Sequence, residues 1–170
     1  MNQHRRTFMT LLGSVAVVGF AARGFITQWM SSAHADTGKE FPVHMSDADW
    51  KKKLSPQAYN VLREQGTERA FTSPLNDEHR HGTFYCAGCE NKLFSSDQKF
   101  NSGTGWPSFW APIDPKAVET TSDSTYGMTR IEVHCAHCGG HLGHVFNDGP
   151  QPTGLRYCMN GVAMDFKPEA

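Results

Sequence analysis

The chain has 170 residues, 16 basic and 17 acidic side chains, nine histidines and five cysteines. Its length suits one domain with a real core, and a formal net charge of −1 with no basic patch argues against a nucleic-acid partner.

Residues 1–35 read as an address. Arg5-Arg6 precedes a run of sixteen uncharged residues, Thr7 to Ala22, that includes Leu11, Leu12, Val15, Val17, Val18 and Phe20. The run is short against the roughly 20 apolar residues of a membrane span, and Gly13 and Gly19 dilute it. Ala33-His34-Ala35 supplies the small residues of a cleavage site, and the paired arginines resemble a twin-arginine export signal. An ordinary secretory signal and an uncleaved anchor are the alternatives. Cleavage after Ala35 leaves 135 residues with 13 basic and 17 acidic side chains, and no stable membrane span. The expected location is periplasmic or otherwise exported, and residues 36–45 are expected to be a linker ahead of a domain over 46–170.

Ser46 followed by Asp49, then Trp50 and Leu54, predicts a capped helix. A second helix is predicted from Ser55-Pro56, with Ala58, Tyr59, Val61 and Leu62 on its apolar side and Gly66 at its end. From Thr67 onward, glycine, proline, serine and asparagine recur between short apolar runs, the texture of a β domain. The clearest predicted strands are Thr83–Cys86, Met128–His134 and Leu155–Asn160.

Two CxxC pairs, Cys86/Cys89 and Cys135/Cys138, stand 45 residues apart. Each can form a knuckle that aims two sulfurs at one ion, with Gly88, Gly139 and Gly140 suited to the turns, and four thiolates fill the tetrahedral shell of a structural zinc. Such a site has no open position for chemistry. In an exported protein the rival is a pair of disulfides, and His137 is a further possible ligand.

Cys158 stands alone in Arg156-Tyr157-Cys158-Met159-Asn160. At period two, Arg156, Cys158 and Asn160 share a face, a polar setting that favours the nucleophilic thiolate. The bland alternative is a buried, inert cysteine. His141 and His144 lie three apart around Gly143, so a turn there could bring both rings to one pocket, where histidine can deliver a proton. On spacing alone, second-layer metal contacts and surface histidines fit as well. Trp106, in Gly103-Thr104-Gly105-Trp106-Pro107-Ser108-Phe109, can wall an apolar pocket or sit in the core.

These segments, in this order and over roughly Ser46 to Phe166, resemble the methionine-R-sulfoxide reductase B family. The resemblance implies a mainly β fold of two antiparallel sheets, with a few peripheral N-terminal helices and a zinc site away from the catalytic pocket. It implies that Cys158 attacks the sulfoxide sulfur of oxidised methionine in proteins or peptides. His141 and His144 hold and protonate the oxygen with help from Asn160, Arg156 lowers the thiol pKa, and Trp106 and Phe146 cup the substrate methyl. Methionine leaves and Cys158 becomes a sulfenic acid. Many members carry a resolving cysteine where this chain has Thr104. The resemblance therefore implies an external reductant, thioredoxin-like or another thiol. The competing readings are a dithiol oxidoreductase, which lacks its βαβ setting, and a non-catalytic zinc-knuckle module.

Overall fold

Ser46 and Ser55 each place a hydroxyl where a helix leaves its first amides unpaired. Ser46 Oγ accepts from the Asp49 amide at 3.2 Å and starts α1 (Asp47–Lys53). Ser55 Oγ accepts from Ala58 at 3.1 Å and starts α2 (Pro56–Glu64), with Pro56 in its first turn. Such caps contribute about 1 kcal/mol each. α2 buries the four residues the sequence assigned to its apolar side, but Gln65 takes the left-handed position that closes the helix (φ 56°), and Gly66 donates to the Asn60 carbonyl just beyond it.

The computed structural model describes residues 40–169. The expected export signal, residues 1–35, lies outside the described residues. Among the described residues no helix is long and apolar enough to cross a membrane. Residues 40–45, placed by sequence in a linker, touch the second knuckle: the Val43 amide donates to His137 O at 2.8 Å and Phe41 meets His134 edge-on at 5.9 Å.

Among the described residues nine strands follow the helices: β1 (Gly82–Cys86), β2 (Lys92–Ser95), β3 (Lys99–Phe100), β4 (Ser108–Phe109), β5 (Val118–Asp123), β6 (Arg130–Cys135), β7 (His141–Phe146), β8 (Arg156–Met159) and β9 (Met164–Pro168). They form two antiparallel sheets, ordered β2-β1-β9 and β3-β4-β8-β7-β6-β5. The expected mainly β architecture is present. Phe84, Phe94 and Phe109 are fully buried; Phe94 stacks on Phe109 at 4.4 Å and Phe84 meets Phe109 edge-on at 4.9 Å, joining β1 and β2 to β4 in one aromatic core. Burying each ring contributes roughly 1.5–3 kcal/mol.

The three predicted strands correspond to β1, β6 and β8 within two residues. The other six strands, β2, β3, β4, β5, β7 and β9, have no counterpart among the predicted ones. β5 is almost wholly polar (Val118-Glu119-Thr120-Thr121-Ser122-Asp123), so it has no apolar alternation to read.

Candidate functional site

Strand register does most of the assembly. Cys158 on β8 sits between Ser108 on β4 and His144 on β7, and His144 in turn sits beside Glu132 on β6. Asp123 on β5 faces Arg130 on β6. One side of the six-stranded sheet thus gathers the reactive groups, because alternate residues of neighbouring strands share a face.

The sequence suggests a turn at Gly143, whereas the structure has a strand with a bulge. Val133 pairs with Gly143 but His134 pairs with His141, so Leu142 is an extra residue in β7. In a regular strand, residues three apart point to opposite faces. The extra residue restores the parity, and the two rings lie with centroids 5.4 Å apart. Gly143 has no room for a side chain, since a Cβ there would come within 2.1 Å of the Cys158 carbonyl.

Each histidine is fixed by a carboxylate that no motif announced. His141 Nδ1 lies 2.7 Å from Glu132 Oε1, and His144 Nε2 lies 2.8 Å from Asp123 Oδ2. Tautomers here are assigned from these bonds: the carboxylates accept, so His141 carries hydrogen on Nδ1 and His144 on Nε2. Asp123 is held well below the usual carboxylate range by bonds from Thr125 first, then His144 and Arg130. Burial works against ionising Glu132, yet the His141 bond and the neighbouring histidines bring its pKa down. Burial lowers the His144 pKa, and Asp123 opposes that only in part.

The Cys158 thiol is half-buried, and its sulfur lies 3.8 Å from Thr104 Oγ1. A chain of hydroxyls continues from Thr104 to Ser102 at 2.8 Å and to Ser108 at 2.7 Å. Arg156 shares the strand face, but its guanidinium is taken by Asp148 in a two-pronged pair at 2.8 Å for each bond and lies 4.4 Å over the Phe146 ring. The Asp148 bonds, aided by the Cys158 sulfur, raise the Arg156 pKa. Arg156 is therefore a clamp on the loop after β7 as well as a charge near the thiol, and one face of Phe146 is covered.

Asn160 lies just past β8, 4% exposed, and its amide is committed: Nδ2 donates to the Leu142 carbonyl and Oδ1 accepts from the Glu68 amide. Trp106, half-buried, donates from Nε1 to the Glu68 carbonyl at 2.9 Å. The Glu68 carboxylate accepts from Gly161 and Val162. Glu68 therefore ties the tryptophan loop to the end of β8. A lone glutamate in a loop carries no sequence pattern that marks it.

The four knuckle cysteines converge as expected. All four sulfurs lie within 4.8 Å of one another, with Cys86–Cys138 at 3.7 Å and Cys89–Cys135 at 3.5 Å. A tetrahedral zinc with bonds of about 2.3 Å needs sulfurs about 3.8 Å apart, so the quartet has the size of such a site. None of the five cysteines is in a disulfide. Bonds from the Cys138, Cys86 and Cys89 thiols favour a thiolate on Cys135, negative charge that a cation would balance. The two knuckles are built alike. Glu90 and Gly139, each following the second cysteine, take left-handed φ (59° and 67°) and donate to the first cysteine's carbonyl at 2.8 and 2.9 Å. The conformational demand in the first knuckle thus falls on Glu90, not on Gly88. His137 is exposed, and it is its amide that approaches Cys135 Sγ, at 3.4 Å.

Residues 54–168 match the model of a family described as the SelR domain. The chain is 56% identical over 126 residues to a peptide methionine sulfoxide reductase MsrB of Agrobacterium fabrum, covering 74% of this chain and 93% of that one. It is 54% identical over 129 residues to the enzyme of the same name from Leptospira interrogans, covering 76% and 98%. The counterpart from Pseudomonas putida is 56% identical over 120 residues, covering 71% and 90%.

Proposed function

The chain belongs to the methionine-R-sulfoxide reductase B family, and on that premise we propose that it reduces methionine-R-sulfoxide in oxidised proteins and peptides, with Cys158 as nucleophile. The observation that carries this reading is the half-buried Cys158 sulfur, set on one sheet face with two histidines held by carboxylates.

The Cys158 thiolate attacks the sulfoxide sulfur while His144, with His141 beside it, delivers a proton to the oxygen. The S–O bond of the substrate breaks, an S–O bond to Cys158 remains, and methionine leaves: thiolate, sulfoxide and one proton become thioether and sulfenic acid. Two electrons pass from cysteine to substrate. Two external thiols then reduce the sulfenic acid to thiol and water, becoming a disulfide, because Thr104 offers a hydroxyl where a resolving thiol would be needed. Asn160 acts through position, tethering the end of β8 to Leu142 and Glu68. Trp106 and the free face of Phe146 accept the methyl group, which rejects the opposite epimer because its S–O dipole would meet an apolar wall.

The four thiolates of Cys86, Cys89, Cys135 and Cys138 hold zinc in this reading. The ion supplies folding free energy and no bond-making chemistry. Arg5-Arg6 and the apolar run after it support an export signal over 1–35, a domain over 46–170, and repair of exported or periplasmic proteins by a thioredoxin-like or other thiol donor of that compartment. Cell fractionation with an Arg5→Lys, Arg6→Lys variant tests the address: retention in the cytoplasm supports it.

The deciding assay is turnover of the separate R and S epimers of N-acetyl methionine sulfoxide with a small dithiol. Reduction of R with little reduction of S is expected, and comparable rates on both would sink the pocket assignment.

A further inference from the structure

Phe71 is an anomaly. It is 73% exposed, the most exposed of the large apolar residues described, and its backbone takes φ 65°, where a bulky side chain is strained. The fold holds it there. Its amide donates to the Gly105 carbonyl at 2.8 Å, an oxygen that also accepts from Asn76 Nδ2 at 3.1 Å, and Thr72 Oγ1 closes the turn onto the Arg69 carbonyl at 2.7 Å. A Cβ built on Gly105 would come 2.8 Å from the Phe71 ring, so the ring lies directly on that glycine. Gly105 separates Thr104, whose hydroxyl is 3.8 Å from the Cys158 sulfur, from Trp106. A strained aromatic held in solvent, one residue from both the nucleophile's neighbour and the apolar wall, is a feature that packing does not explain.

We propose that Phe71 is a docking platform for a large apolar side chain two residues from the oxidised methionine of a polypeptide substrate. The inference rests on the reductase reading above and deepens it, naming substrates that carry an apolar residue two positions from methionine sulfoxide. Side chains of an extended peptide alternate in direction and those two residues apart share a side, about 7 Å along the chain, so a methyl group seated against Trp106 brings the side chain two positions away toward the surface continuous with Gly105. A blocked single amino acid has no such neighbour and gains nothing from the ring.

The test compares wild type, Phe71→Ala, Phe71→Leu and Phe71→Gly with dithiothreitol as reductant. The substrates are N-acetyl methionine-R-sulfoxide and two short peptides that carry leucine or glycine two positions from that residue on each side. Phe71→Ala should lower kcat/KM on the leucine peptide roughly 5- to 20-fold, mainly through KM, with less than about a 2-fold change on the other two substrates. Phe71→Leu should recover most of the loss. Phe71→Gly should match the alanine variant in kinetics while melting no lower than wild type, since glycine accepts the left-handed backbone. An equal loss on all three substrates, or none on any, overturns the proposal. So does a loss seen only when a thioredoxin-type protein replaces dithiothreitol, because that outcome assigns the ring to the reductant. Failure of the wild type to reduce the N-acetyl substrate would count against the reductase reading instead.

Discussion

The knuckles and the strand that carries Cys158 use one side chain in two surroundings. Cys86 and Cys135 are fully buried, with other cysteine sulfurs at 3.7 and 3.5 Å from their partners across the cluster. Cys158 is half-buried, and its sulfur meets a hydroxyl at 3.8 Å on a face shared with two histidines. In the first setting four sulfurs crowd together with the spacing a single cation would bridge. In the second a single sulfur is half-exposed, with two histidines on the same sheet face. Neighbours set the role of a thiol, and the sharpest experiments exchange or remove those neighbours.

The largest effect should come from Cys158→Ser, which removes the proposed nucleophile and leaves the sulfur cluster untouched. Turnover should fall on the order of 10³-fold or more, while metal content and melting temperature stay at wild-type values. A serine variant that turns over at more than a few per cent of wild type would mean the reactive thiol is elsewhere.

Cys135→Ser makes the converse cut. It should lose stoichiometric zinc by elemental analysis and destabilise the fold by several kcal/mol, roughly 10 °C or more in melting temperature. A metal held by the four cysteines would clip residues 90–134 into one loop and anchor the end of β6, two strands from Cys158. A variant that loses metal yet melts normally would dissolve the contrast between the regions.

A third experiment sharpens the proton-donor side. His144→Ala should slow single-turnover reduction about 10²- to 10⁴-fold. Because burial lowers the His144 pKa, its acid form grows only below the ordinary histidine value of about 6.5, and the rate contribution from His144 should rise as pH falls through that range. Asp123 raises that pKa in part, so Asp123→Asn should move the limb to still lower pH. The sign for stability is separate. Asp123 has a depressed folded pKa, so its contribution is present above its unfolded pKa of about 4 and is lost as pH falls below it. Melting curves across pH 3 to 7 should lose less in Asp123→Asn than in wild type.

The smallest change concerns Thr104. One equivalent of substrate should consume one thiol, counted by alkylation after denaturation, with Cys158 trapped by a sulfenic-acid reagent. Loss of two thiols, with Cys158 linked to another cysteine, would show a resolving residue. Thr104→Cys should close an internal disulfide with Cys158, since the two side chains already approach to 3.8 Å, and should improve turnover with a thioredoxin-like donor while leaving single turnover little changed.

Local chemistry was legible along the chain wherever it repeats at a short, regular spacing. Ser46 and Ser55 mark two helix starts because a cap needs only the next few residues, and CxxC marks a knuckle because one turn sets both sulfurs. Cys158 stood out because Arg156 and Asn160 share its period-two face. Three features depend instead on contacts between distant segments. The carboxylates of Glu132 and Asp123 meet His141 and His144 across strand pairs, and β5, nearly all polar, carries no periodic sign of its place at the sheet edge. The bulge at Leu142, which brings the two histidines to one face, exists only as a mismatch of register against β6. Glu68 and Phe71 hold or flank Trp106 from a loop more than thirty residues earlier. Propensity and motif act within a few residues, whereas hydrogen bonds and side-chain contacts between strands and loops appear only once the chain has closed on itself.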